Sequence, residues 1–245
     1  EYNEKLPTTL TTEEILIRSG NIGSVRIAQK VGEEKYKLFL SRIGITGGID
    51  FDIEEVGRSI NFNWGKCPLA TASFGHGITT TLLQIVKAYS IIVNGGFDVK
   101  PILIEPKQKD IRKKIINKEV SEKILPILRK IVSTKDGTAK LANVVGYEIG
   151  GKTGTANKTI KGEYTNKKIN TFVSVFPTSK PKYILAVMLD EPEINKEYIY
   201  EYRDGSNFKL KGSPRNTAGW NSVEATGHIV EKIGPILATK YSEIN

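Results

Sequence analysis

The chain has 245 residues, 39% hydrophobic and 26% charged, enough for one large domain or two small ones around a real core. Its 36 Lys and Arg against 27 Asp and Glu give a net charge of +9, but the cations are scattered apart from runs such as "KQKDIRKK" (107–114), which favours a solvated basic face over a nucleic-acid groove. Cys67 is the only cysteine, which excludes an internal disulfide and a Cys-rich metal site, and the longest apolar run, "YILAVML" (183–189), is too short to span a bilayer.

In chain order, "TTEE" (11–14) predicts a short helix opened by a capping box, Thr11 with Glu14, and stopped near "RSGN". A second helix follows in "GSVRIAQKVG" with Gly32 as its C-terminal cap, and a third in "EEKYKLFLSRIG", closing on Gly44. Residues 45–78 read as loop-rich. "TTTLLQIVKAYSIIVNGG" (79–96) has threonines in front, an apolar stripe and paired glycines behind, and predicts the clearest helix. Another helix is expected over 121–137, with Pro126 disturbing its first turns. Beyond residue 146 the pattern changes. "INTFVSVFP" (169–177) and "KYILAVMLDEP" (182–192) are β-branched runs bounded by prolines, predicting two strands. Residues 193–219 read as a polar loop, and 221–237 as a closing amphipathic helix. Helices, then strands, then a helix indicate an α+β fold.

"VGYEIGGKTGTANK" (145–158) carries two competing patterns. Gly146, Gly151, Lys152 and Thr153 fit the G-x-x-x-x-G-K-[ST] of a phosphate-binding loop, and Asp190 and Glu191 end an apolar strand downstream of it. A phosphate loop needs a helix starting at its Lys-Thr, so that backbone N–H groups and the helix dipole meet the anion. Gly154 follows at once instead, and no apolar helical stripe succeeds it. The four residues between the later two strands force an antiparallel hairpin, with no room for a crossover helix. The nucleotide reading is therefore set aside. The remaining pattern is K-T-G.

Three separated stretches then agree. Ser19-Gly20-Asn21 is an S-x-N, "ASFGHGITTTLLQIVKAYSIIVNGG" (72–96) a glycine–aromatic–glycine segment with a helix behind it, and "GGKTGTANK" a K-T-G-T-A strand. With "DGTAKLA" (136–142) before that strand and "TAGWNSVEATGHIVEKI" (217–233) after it, this ordered set resembles the class B penicillin-binding proteins, most closely their cell-division branch of septal D,D-transpeptidases. Leu82 and Glu224 depart from the family pattern at positions that carry no chemistry. The resemblance implies a transpeptidase fold: an antiparallel sheet with flanking helices plus a helical lobe, with residues 1–145 giving most of that lobe and the S-x-N loop. Residues 146–245 would give the K-T-G strand, the hairpin and the last helix. The sheet is expected to be incomplete in this chain.

The resemblance also assigns roles. Ser19 relays a proton towards the leaving amine, helped by the Lys152 ammonium, and Asn21 hydrogen-bonds the substrate's side-chain amide. Thr153 and Thr155 bind the substrate carboxylate, Gly154 leaves room for an extended stem peptide, and the Thr155 backbone N–H is one arm of the oxyanion hole. The nucleophile is the serine of an S-x-x-K upstream of S-x-N, absent here. "SKPK" (179–182) and "SNFK" (206–209) match by letter but fall in a turn and a polar loop. The chain alone is thus expected to be inactive.

For the intact protein the implied partners are peptidoglycan stem peptides ending in D-Ala-D-Ala, β-lactams, and membrane proteins of the division machinery. No nucleic acid, cofactor or metal is implied, and the implied place is the periplasmic face of the bacterial inner membrane. His76 and His228 belong to no Ser/His/Asp set, and His76 is expected to shape the "FGHG" loop. A serine β-lactamase or D,D-carboxypeptidase of the same fold, or a non-catalytic sensor or wall-binding module, stays open as an alternative.

Overall fold

The computed structural model describes residues 7–52, 68–104, 112–160, 163–212 and 215–242. The chain divides into two compact units between Ile124 and Leu125, inside one helix.

The first unit is helical. Helix α1 (Thr12–Arg18) begins at the expected capping box: the Thr11 hydroxyl accepts from the Glu14 N–H at 3.2 Å, and the Glu14 carboxylate accepts from the Thr11 N–H at 2.8 Å. Ser19 ends it in the left-handed region (φ 58°), and Gly20 caps α2 (Asn21–Val31), which starts two residues earlier than the sequence pattern suggests. Helix α3 (Glu33–Arg42) follows directly. A short helix, α4 (Pro68–Ser73), lies in the stretch read as loop, and the Tyr36 hydroxyl of α3 donates to the Ala72 carbonyl at 2.9 Å. Helix α5 (Leu82–Val93) is trimmed to a second capping box, Thr81 with Gln84. Gln84 is buried, and its amide donates to the Gly47 carbonyl at 2.7 Å. Ile43, Ala88 and Ile91 form the core here, with Ile45, Ile115 and Ile116 against them.

Helix α6 (Lys118–Ser133) carries the division between the units, and it accommodates Pro126 inside rather than at its start. In the second unit a 3-10 turn (Lys140–Ala142) leads to β1 (Gly150–Ile160), β2 (Glu163–Phe176) and β3 (Tyr183–Asp190), an antiparallel sheet in that order. Strand β2 begins six residues before the predicted run. Its first half is polar and exposed, so no period-2 apolar pattern announces it. The polar stretch 193–219 contains a small two-stranded sheet, β4 (Ile199–Glu201) with β5 (Lys209–Lys211), and a 3-10 turn at Ala218–Trp220. Helix α7 (Ser222–Ser242) packs on β2 and β3, burying Val223 and Val230. Phe172, Val175, Ile131 and Ile149 are fully buried in this unit. The fold is α+β, with the expected antiparallel hairpin and an incomplete sheet.

Candidate active site

The K-T-G residues lie within β1, in extended backbone, so no helix begins at Lys152. Among the described residues strand β1 is an edge of the three-stranded sheet, and it presents alternate backbone N–H and C=O groups away from β2. Directly opposed residues share a face: Gly151 faces Ser174, Thr153 faces Phe172 and Thr155 faces Asn170, whereas Lys152 and Gly154 stand with Val173 and Thr171 on the other face.

The glycines on either side of the Lys-Thr pair serve opposite purposes. A Cβ at Gly151 would sit 2.4 Å from the Val173 carbonyl oxygen and 2.8 Å from the Phe172 ring. That glycine is demanded by packing. A Cβ at Gly154 would meet only the Thr171 carbonyl oxygen, at 3.9 Å, so its bareness answers no need of the fold.

Lys152 is half-buried and donates to the Thr153 carbonyl at 3.0 Å. Burial disfavours its charged form and lowers its pKa from 10.5 to about 8. The two threonine hydroxyls are held by segments distant in sequence. Thr153 Oγ1 shares a hydrogen bond of 2.8 Å with Thr138 Oγ1, from the "DGTAKLA" turn. Thr155 Oγ1 accepts from the Ala218 N–H at 3.0 Å, from the "TAGW" turn. Sequence reasoning marked both segments and assigned neither Thr138 nor Ala218 a part. Side-chain pairing across a strand gap leaves no spacing to read.

Ser19 and Asn21 belong to the first unit, Ser19 as the residue ending α1 and Asn21 as the first residue of α2. The S-x-N segment is thus a tight turn between two helices, its serine in a conformation that costs a non-glycine residue energy. In "SFGHG" the His76 N–H donates to the Thr71 carbonyl at 2.9 Å, and its ring meets Phe74 edge-on at 5.5 Å. Cys67 lies outside the described residues. His228 on α7 belongs to a cluster in which Arg203 pairs with Glu224 at 3.1 Å and donates to the His228 ring, and the Tyr198 hydroxyl lies 3.2 Å from both Glu224 and His228. Asp190 and Glu191, which imitate a nucleotide site in sequence, are bound by Lys158 at 2.9 and 2.8 Å, and Lys167 also holds Glu191. Of the two S-x-x-K strings, 179–182 lies in the turn joining β2 to β3, and 206–209 runs from the β4–β5 connection into Lys209, the first residue of β5. Neither sets serine and lysine one helical turn apart.

Residues 1–207 match the penicillin-binding protein transpeptidase domain. The chain belongs to that family. It is 28% identical over 243 residues to a probable peptidoglycan D,D-transpeptidase FtsI of Caulobacter vibrioides, covering 94% of this chain and 39% of that one. A probable peptidoglycan D,D-transpeptidase PenA of Neisseria flavescens is 33% identical over 199 residues, covering 78% and 48%. Among solved structures, penicillin-binding protein 3 of Mycobacterium tuberculosis, complexed with aztreonam, shares the fold with a TM-score of 0.74 at 24% identity, over 91% of this chain and 50% of that one. The chain thus spans less than half the length of these two curated relatives.

Proposed function

We propose that this chain is the C-terminal portion of a peptidoglycan D,D-transpeptidase that cross-links stem peptides at the division septum. The observation carrying the proposal is the K-T-G strand: an open edge with a half-buried lysine on one face and two anchored threonine hydroxyls on the other. A stem peptide ending in D-Ala-D-Ala lies extended along β1, as an added strand would, with its carboxylate taken by Thr153 and Thr155. Gly154 leaves space for it. A serine in a segment outside these 245 residues attacks the penultimate D-alanine carbonyl, and the Thr155 N–H supports the oxyanion. The terminal D-alanine leaves, and the acyl group passes to the amine of a neighbouring strand. The resemblance gives Ser19 a proton relay, Asn21 a hydrogen bond to the substrate's side-chain amide, and Lys152 a positive charge on its face of the strand.

β-Lactams acylate the same serine, consistent with the aztreonam complex of the mycobacterial protein. The working place is the periplasmic face of the inner membrane, among division-machinery membrane proteins. Among the described residues no helix is long and apolar enough to cross a membrane. The test is mass spectrometry of the natural full-length protein with penicillin. One stable penicilloyl group on a serine outside residues 1–245 supports the proposal. An adduct on the 245-residue chain alone overturns the placement of the nucleophile, and rapid penicillin turnover moves the assignment to a β-lactamase.

A further inference from the structure

Asn170 is fully buried, and both polar atoms of its side chain lack a hydrogen-bond partner. Among the described residues no other buried side-chain nitrogen or oxygen is left so. Its buried neighbours in the same unit are satisfied: Ser174 donates to the Leu185 carbonyl at 2.9 Å, Ser222 to that of Ala218 and Thr226 to that of Ser222. A buried carboxamide without partners is costly, so its retention in the centre of the sheet asks for a reason.

The register supplies one. Asn170 lies directly opposite Thr155 on β1, and opposed residues share a face with Cβ atoms about 5 Å apart. That spacing is too wide for every rotamer to touch, and it is the span that one altered rotamer or one bridging water closes. Thr155 Oγ1 has two lone pairs and one proton. The Ala218 N–H occupies the first lone pair.

We propose that Asn170 is a positioning residue for Thr155, its Nδ2 donating to the second lone pair, directly or through one internal water. With both lone pairs filled, the Thr155 hydroxyl has only its proton to offer, and it points that proton at an incoming carboxylate. Asn170 touches no substrate. It turns a hydroxyl that could accept or donate into a fixed donor, and so selects an anionic group at this end of the strand.

The inference rests on the transpeptidase reading above, and the experiment separates the two. Full-length protein is prepared as wild type, Asn170→Leu, Asn170→Ala, Thr155→Val and the Thr155→Val/Asn170→Leu double variant. Acylation by a fluorescent penicillin is measured against concentration, with the free carboxylate and with its methyl ester. Asn170→Leu should weaken the binding step for the carboxylate about tenfold, leave the ester unchanged, and add nothing in the Thr155→Val background. Asn170→Ala, which removes the donor without adding bulk, should behave like Asn170→Leu and serves if the leucine variant does not fold. Equal losses for acid and ester, additive losses in the double variant, or variants acylated like wild type overturn the role of Asn170. A wild type that takes no penicillin overturns the functional reading itself.

Discussion

Exchanging Gly154 for alanine separates what the K-T-G strand does for the fold from what it does for a substrate. The added methyl has 3.9 Å to its nearest neighbour outside the adjoining residues, and Gly154 has no left-handed φ to lose. The folded state therefore accepts it, and alanine costs a strand about 0.5–1 kcal/mol less than glycine in chain entropy. The melting temperature should stay level or rise by roughly 1–4 °C. The same methyl stands beside the edge of β1, along which the proposed stem peptide runs. Overpacking a fitted contact costs about 1–3 kcal/mol, so acylation of the full-length protein by penicillin should fall about 10–100-fold. Gly151→Ala gives the opposite result. Its methyl is forced to 2.4 Å from the Val173 carbonyl oxygen and against the buried Phe172 ring, so the strand must shift and the melt should drop by several degrees. Circular dichroism melts with fluorescent-penicillin labelling read both effects. A Gly154→Ala protein that labels at the wild-type rate, or that melts well below wild type, would refute the reasoning.

Three further outcomes are expected. Lys152 is held near 8 by burial, so between about pH 8 and 10.5 the unfolded chain carries a proton that the folded one lacks. Stability should thus rise with pH across that window, by up to about 1.4 kcal/mol per unit. It should be lowest below pH 8, where both states are charged; denaturant titrations lose this rise in Lys152→Met. Glu224→Ala leaves the buried Arg203 guanidinium with only the half-exposed Glu231 carboxylate at 3.1 Å, which should cost about 2–4 kcal/mol. An Arg203→Met/Glu224→Met pair should recover most of that in the same melts. Thr138→Val removes the partner of the Thr153 hydroxyl and should cost about 1 kcal/mol of stability, with a several-fold weaker binding step for penicillin.

The local devices were legible because each is written in neighbouring letters. Thr11 with Glu14 announces a capping box, and four residues between two apolar strands permit only a hairpin. The extended backbone at Lys152 was legible from its downstream neighbours, since Gly154 and a polar stretch cannot open a helix. The remainder depends on contacts that sequence spacing does not encode. Strand β4 is three residues long and is held by Tyr200 packed edge-on against Trp220, 5.1 Å between ring centres and twenty residues apart. Glu224 stood out as a departure from the family pattern, but its partner, the buried Arg203, lies in a stretch read as a polar loop. The Thr138 and Ala218 contacts to the K-T-G threonines are of the same kind, and so is the register that sets Asn170 opposite Thr155.

The β1–β2 ladder changes register between Asn157 and Thr159. Strand β2 takes two more residues than β1 to cross this step, and an irregularity of this sort absorbs them without disturbing the pairing on its far side. The hairpin is therefore partitioned. Lengthening or shortening it beyond Thr159 alters only its reach, and that end can be recut to carry a label. A single residue added or removed between Gly150 and Asn157 would exchange the two faces of the strand, sending the lysine where the threonines belong and the threonines where the lysine stood.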